Sequence, residues 1–212
     1  MFDGLAAEPY EHRGIIHSEM ALMLYGLRRL RIERVIESGR ARAQSTWILA
    51  TYLPHLDIHS VEMRDDEDVR FGRERVGNLP NVTLYEGDGR ELVPMLAWLD
   101  ERPTAVLLDG PKGAAAVSVL EQCFKRKHVK LGFIHDMRRL DHGEPSPHRA
   151  AAVERLPRHL FSDEPDLVAQ FKHLDANVIA AGGPVGPAHE AQFGSYGPTI
   201  GIFLNHPHST KQ

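Results

Sequence analysis

The chain has 212 residues, of which 42% are hydrophobic and 25% charged, and a formal net charge of −4. This composition fits one core-bearing domain with short additions, and its weak acidity argues against a general nucleic-acid-binding surface. The single Cys123 excludes an internal disulfide framework and a Cys-rich zinc site, and 13 scattered histidines form no H-E-x-x-H spacing.

In chain order, Met1-Phe2-Asp3-Gly4 lacks a charged-then-apolar leader pattern. No later run approaches the ~20 apolar residues that span a bilayer, so a cytoplasmic protein without membrane association is expected. Residues 1–17 read as a loose arm, 18–205 as the folded domain and 206–212 as a frayed tail. From Ser18, a candidate N-cap, Met20, Met23, Leu24, Leu27 and Leu30 recur at helical spacing. That apolar face could pack on the chain's own sheet or pair two copies in a homodimer. Arg28, Arg29 and Arg31 would complement the helix dipole in the last turn.

Strand and helix signals then alternate. Strands are expected at Arg34–Glu37, Ile58–Glu62, Val82–Tyr85, Thr104–Leu108 and Leu131–Ile134. Helices are expected at 45–53, 65–76, 91–99 and 114–125 between them, with Pro54 stopping the first. Near-continuous apolar strands joined by helices imply a parallel sheet covered on both faces. After Asp136 the pattern loosens. Helices are expected near 149–156 and 166–173, and strands at Val178–Ala180 and Thr199–Leu204, separated by the Gly/Pro-rich segment 182–187.

Glu37, Glu62, Asp88, Asp109 and Asp136 all fall at or just beyond strand ends, which gathers five acids at the carboxyl edge of the sheet. Ligands bind at that edge in open α/β sheets. Helix N-caps are the competing explanation, and for Asp88 the two weigh about equally. After Glu37, Gly39 permits a tight turn and Ser45-Thr46 opens a helix whose backbone N–H groups would attract an anion.

Taken together, Val35-Ile36-Glu37-Ser38-Gly39, Ser60-Val61-Glu62-Met63, Tyr85-Glu86-Gly87-Asp88-Gly89, Leu107-Leu108-Asp109-Gly110-Pro111-Lys112 and Gly132-Phe133-Ile134-His135-Asp136 resemble the class I S-adenosylmethionine-dependent methyltransferases. The likeness is greatest to the small O-methyltransferases of the catechol and caffeoyl-coenzyme A type, and it runs from about Ser18 to Asp136. It implies a Rossmann-like α/β fold: a mostly parallel seven-stranded sheet with helices on both faces and a late antiparallel strand pair. It also implies S-adenosylmethionine as cofactor. Glu37, Gly39 and Ser45 would lie by its methionine part, Glu62 on the ribose hydroxyls and Asp88 near the adenine. Asp109 and Asp136 would hold Mg²⁺ or another divalent cation, and Lys112 would be a general base toward an acceptor hydroxyl.

Departures from the pattern are specific. The later glycines of the loop are replaced within Arg40-Ala41-Arg42-Ala43, so Arg40 and Arg42 stand where the cofactor should approach. Ala43 is tolerable if its φ is negative. Met137 stands where a third metal ligand is expected. His135 could replace it or act as a base, although strand alternation would turn it away from Asp136. Segments 138–148 and 182–196 would overhang the site, and their Arg, His and Asp content suits a small polar, even sugar-containing, acceptor. Trp98, Phe193 and Tyr196 could stack on a ligand but more often such residues pack. Two other functions fit the same frame: an inert binding protein, or an enzyme holding a nucleotide sugar or phosphate through Arg40 and Arg42.

Overall fold

Each expected strand of the first five forms, because each is an apolar run short enough for a strand and bounded by turn residues. In the computed structural model, which describes residues 3–139, 145–156 and 158–205, they are β1 (Arg34–Ser38), β2 (Asp57–Glu62), β3 (Val82–Glu86), β4 (Thr104–Leu108) and β5 (Val129–Ile134). All four pairings among them are parallel. With β6 (His159–Phe161) and β7 (Gly201–Leu204) they make one seven-stranded sheet of order β3-β2-β1-β4-β5-β7-β6. β7 runs antiparallel to both β5 and β6.

Successive side chains of a buried strand enter opposite cores. Along β4, Ala105 and Leu107 join Val35, Ile58 and Phe133 on one face, while Val106 and Leu108 join Ile36, Val61 and Ile134 on the other. The first face is covered by α1 (His17–Arg29) and α2 (Gln44–Tyr52), with α3 (Glu67–Val76) packed on α2. The second is covered by α4 (Gly89–Trp98) and α5 (Ala114–Phe124), with α6 (Pro147–Arg155) packed on α5. Met20, Met23, Leu24 and Leu27 are consumed by the chain's own core, so the face that could have paired two copies is occupied. No helix among the described residues is long and apolar enough to cross a membrane.

Several expectations need correcting. Residues 3–16 are not a loose arm: a 3-10 helix spans Asp3–Ala7, and Leu5, Ile15 and Ile16 are buried. Ser18 does not cap α1; Ile16 holds the cap position, and the Ser18 N–H instead donates to Asp175, from far along the chain. Arg31 lies beyond the helix at φ +51. Val178–Ala180 is not a strand but part of α8 (Ala176–Ala180), following α7 (Pro165–Phe171) and a 3-10 turn at Lys172–Asp175. Three apolar residues fit either state, and here Val178 packs beside Ile16 and Val185 on one side of a helical turn. β6 and α9 (Pro187–Phe193) were not anticipated. Asp141, His142 and the tail 206–212 lie outside the described residues.

Candidate active site

The loop after β1 approaches the end of β4 closely. The Ser38 carbonyl accepts from the N–H groups of Asp109 and Gly110 at 2.8 and 3.0 Å. Gly39 sits at φ +94, and a Cβ there would stand 2.6 Å from the Gly110 nitrogen, so only glycine fits. Ala41 and Ala43 also take positive φ, 41° and 59°. The condition under which Ala43 would cost little, a negative φ, is therefore not met. Each such alanine costs on the order of 1–2 kcal/mol that glycine would not. The surroundings hold the loop there: a Cβ on Gly72 of α3 would come 2.3 Å from the Ala41 carbonyl oxygen.

A cavity of about 660 Å³ opens at the carboxyl edge of β1, β2, β4 and β5. Neither Arg40 nor Arg42 fills it. Arg40, 2% exposed, turns beneath the loop and donates to the Ser60 carbonyl at 2.9 Å. Burial lowers its pKa, against the opposing pull of Glu37 and Glu62. Arg42 points outward to Glu11 and Asp68, both at 3.0 Å, with its guanidinium over the Phe71 ring. Gly39 and Ala41 are the loop residues that face the cavity.

The predicted cofactor residues divide into two groups. Gly39, Glu62 and Asp88 line the cavity. Glu62 ends β2, with Oε2 accepting from Ala41 N–H at 3.0 Å and Oε1 from Met63 and Arg64 N–H at 2.9 and 3.0 Å. A carboxylate offers about four acceptor positions, so about one remains for a ligand hydroxyl. Asp88 caps α4 through the Arg90 N–H at 2.8 Å and is held below its usual pKa by the Arg90 side chain. Glu37 and Ser45 do not line the cavity. Glu37 is fully buried and accepts from Ser45, Thr46 and, at 2.7 Å, Ser60, pinning β1, β2 and α2 together. Burial raises its pKa and the three hydroxyl donors oppose the rise.

Asp109, Lys112, His135 and Asp136 meet on the opposite wall. Lys112 bridges Asp109 and Asp136, reaching the latter at 2.5 Å. Burial lowers its pKa, but the two carboxylates outweigh burial and hold the ammonium protonated above its usual range. It is thus a clamped cation here. His135 Nδ1 lies 2.9 Å from Asp109 and 3.5 Å from Asp136, against the expectation from strand alternation. The reason is local: β5 ends at Ile134, and Asp136 takes φ +59, which swings its side chain back beside His135. Burial pushes the His135 pKa down, but Asp109 and Glu19 push it well above the usual value. Burial likewise raises Asp109, yet His135 and Lys112 leave it below normal.

Donor atoms of Asp109, His135 and Asp136 all lie within 4.8 Å of one another. Oxygen and imidazole donors at this spacing fit a divalent cation, and the Lys112 ammonium already stands in for positive charge between the two carboxylates. Met137 is fully buried in the core and offers no ligand.

Sequence reading missed two contributors. Glu19 of α1, 1% exposed, faces His135 Nε2 at 3.2 Å. A buried acid inside an apolar helix stripe was the only available signal. Residues 10–14 form a strap whose Tyr10, Arg13 and Gly14 line the cavity. It is tied down by Glu11, which accepts from Arg42 and Arg75 at 3.0 and 3.2 Å. On the far rim, Pro184 and Pro198 line the cavity and His148 meets the Asp136 carbonyl at 3.0 Å. Trp98 lies away from it, with Arg126 over its ring. Arg138 sits over Phe193, and Tyr196 packs beside Ile16 and Val185.

No family model and no curated protein matches the sequence. Solved structures share its architecture. A Klebsiella pneumoniae protein assigned as an O-methyltransferase is 18% identical, with a TM-score of 0.52 over 95% of this chain and 85% of that one. The O-methyltransferase TomG of Streptomyces achromogenes, involved in tomaymycin synthesis and solved with SAM, is 15% identical, with a TM-score of 0.55 over 91% and 82%. A Staphylococcus aureus protein assigned as a caffeoyl-CoA O-methyltransferase is 13% identical, with a TM-score of 0.51 over 97% and 89%. With the strand order above, these likenesses establish that the chain has the fold of the class I methyltransferases.

Proposed function

We propose that the chain is an S-adenosylmethionine-dependent methyltransferase that methylates a hydroxyl of a small polar acceptor, sugar-containing molecules included. The observation that carries this is the cavity at the carboxyl edge, with Glu62 and the Gly39 turn on one wall and Asp109, Lys112 and His135 on the other. Methyl transfer is an in-line displacement, so the protein's main task is to hold donor and acceptor in register. Glu62 would accept from the ribose, Asp88 would lie by the adenine, and Gly39 would let the backbone approach the methionine part. Glu37 and Ser45 support this wall from behind. Lys112 and His135, both held cationic, would attract the acceptor oxygen. Lys112 becomes a base only after leaving its two carboxylates, which hold its proton. Asp109 and Asp136 would hold a divalent cation, whose charge when bound would ease loss of the hydroxyl proton.

The nucleotide-sugar reading loses its support, because Arg40 and Arg42 are committed elsewhere. Calorimetry with S-adenosylhomocysteine tests the proposal. Glu62→Ala is expected to weaken binding at least about tenfold, near 1.4 kcal/mol. Equal affinity in wild type and variant would overturn the assignment. An inert frame predicts no ligand-induced rise in Tm at millimolar S-adenosylhomocysteine, whereas a binding site must stabilise the folded state.

A further inference from the structure

One charged group of the site has no task in that reading. Glu19 lies 1% exposed among Met20, Ala21 and Met23. An isolated carboxylate in such surroundings is costly unless partnered. Its Oε1 accepts from Ser162 Oγ at 2.9 Å. Its Oε2 faces His135 Nε2 at an ion-pair distance of 3.2 Å, and neither of these buried atoms has a hydrogen-bond partner among the described residues. The other nitrogen of the same ring, Nδ1, points to Asp109 and Asp136. One imidazole therefore joins an interior carboxylate to two at the cavity. A carboxylate behind a histidine accepts a hydrogen bond from the far N–H, which fixes that tautomer and leaves the near lone pair free for a metal.

We propose that Glu19 is a positioning residue that presents His135 Nδ1 as a nitrogen ligand, so that Asp109, His135 and Asp136 select a first-row transition cation over magnesium. The geometry permits it: donors ~2.1 Å from one ion lie ~3–4 Å apart, and these donors fall within 4.8 Å. Imidazole suits iron, nickel, copper and zinc, with manganese the weakest of the first-row series, whereas magnesium demands near-octahedral oxygen donors and retains water. The incoming ion displaces the Lys112 ammonium and the Nδ1 proton, which passes to solvent. The inference rests on the methyl-transfer reading only for what the ion would do, not for whether it binds.

Titration of the chelator-treated protein with MnCl₂, CoCl₂, ZnCl₂ and MgCl₂ by calorimetry tests this. One transition ion per chain is expected, at least about tenfold tighter than magnesium. Glu19→Gln, nearly isosteric, is expected to weaken transition-ion binding about 10–100-fold while leaving magnesium affinity little changed. Lys112→Met is expected to tighten both. Pulsed EPR of bound Mn²⁺ in the wild type needs no variant, and is expected to show a coupled imidazole nitrogen. Magnesium binding as tightly as manganese, no nitrogen coupling, or no ion bound even by Lys112→Met would each overturn the proposal. Parallel S-adenosylhomocysteine binding keeps the two readings separable, since failure of the ion leaves the cofactor result standing.

Discussion

At Gly39 a positive φ and a 2.6 Å approach to the Gly110 nitrogen coincide. Gly39→Ala is expected to cost about 1–3 kcal/mol of stability and to abolish S-adenosylhomocysteine binding; thermal melts and calorimetry would show both. Ala43→Gly makes an instructive contrast. It relieves left-handed strain of about 1–2 kcal/mol but removes a fully buried methyl group and adds unfolded-chain entropy. These losses sum to a similar size, so a Tm within about 3 °C of wild type is expected, and a large stabilisation would refute this balance. At this scale the acids at strand ends were legible, because strand termini are set by local pattern. The charge state of Lys112 was not, since it depends on Asp136, which only the fold brings near. Glu19 was hidden for the same reason: its partners lie just beyond β5 and just beyond β6.

Among the elements, β1 to β5 were readable because each is an apolar run flanked by turn formers. β6 is three residues long with two of them exposed, too little pattern to detect. α8 was misread because a short apolar run carries no period of its own. The strap at 10–14 was invisible because ion pairs across the fold hold it, rather than any apolar stripe. Glu11→Ala should free it, since both Arg42 and Arg75 lose their shared anchor. The expected outcome is faster S-adenosylhomocysteine dissociation in stopped-flow, with Tm lowered by no more than a few degrees, because exposed or half-buried ion pairs contribute only ~1 kcal/mol or less. Unaltered release would show that the strap does not gate the cavity.

Across the whole molecule, Asp175 ties the C-terminal region to the start of α1 through Ser18. Burial raises its carboxyl from 3.8 to about 6, with Ser18 opposing and Glu19 reinforcing the rise. The folded state therefore binds more protons than the unfolded state between those values. Stability should fall as pH climbs from about 4 to about 6 and remain reduced above, by roughly 3 kcal/mol for this group. Asp175→Asn keeps an acceptor for Ser18 but cannot ionise. The Tm of the variant relative to wild type should therefore rise between pH 4.5 and 7.5, and a constant difference would refute the assignment.

The sheet order puts β7 between β5 and β6, and among the described residues β6 pairs with no other strand. During synthesis, every parallel strand emerges before residues 201–204 do. Until then β5 is a bare edge bearing Leu131 and Phe133, both almost fully buried in the finished protein. Exposed apolar edges recruit other chains. A nascent or truncated chain lacking those four residues should thus be a client for chaperones and prone to aggregate, while the cavity-forming half is already in place.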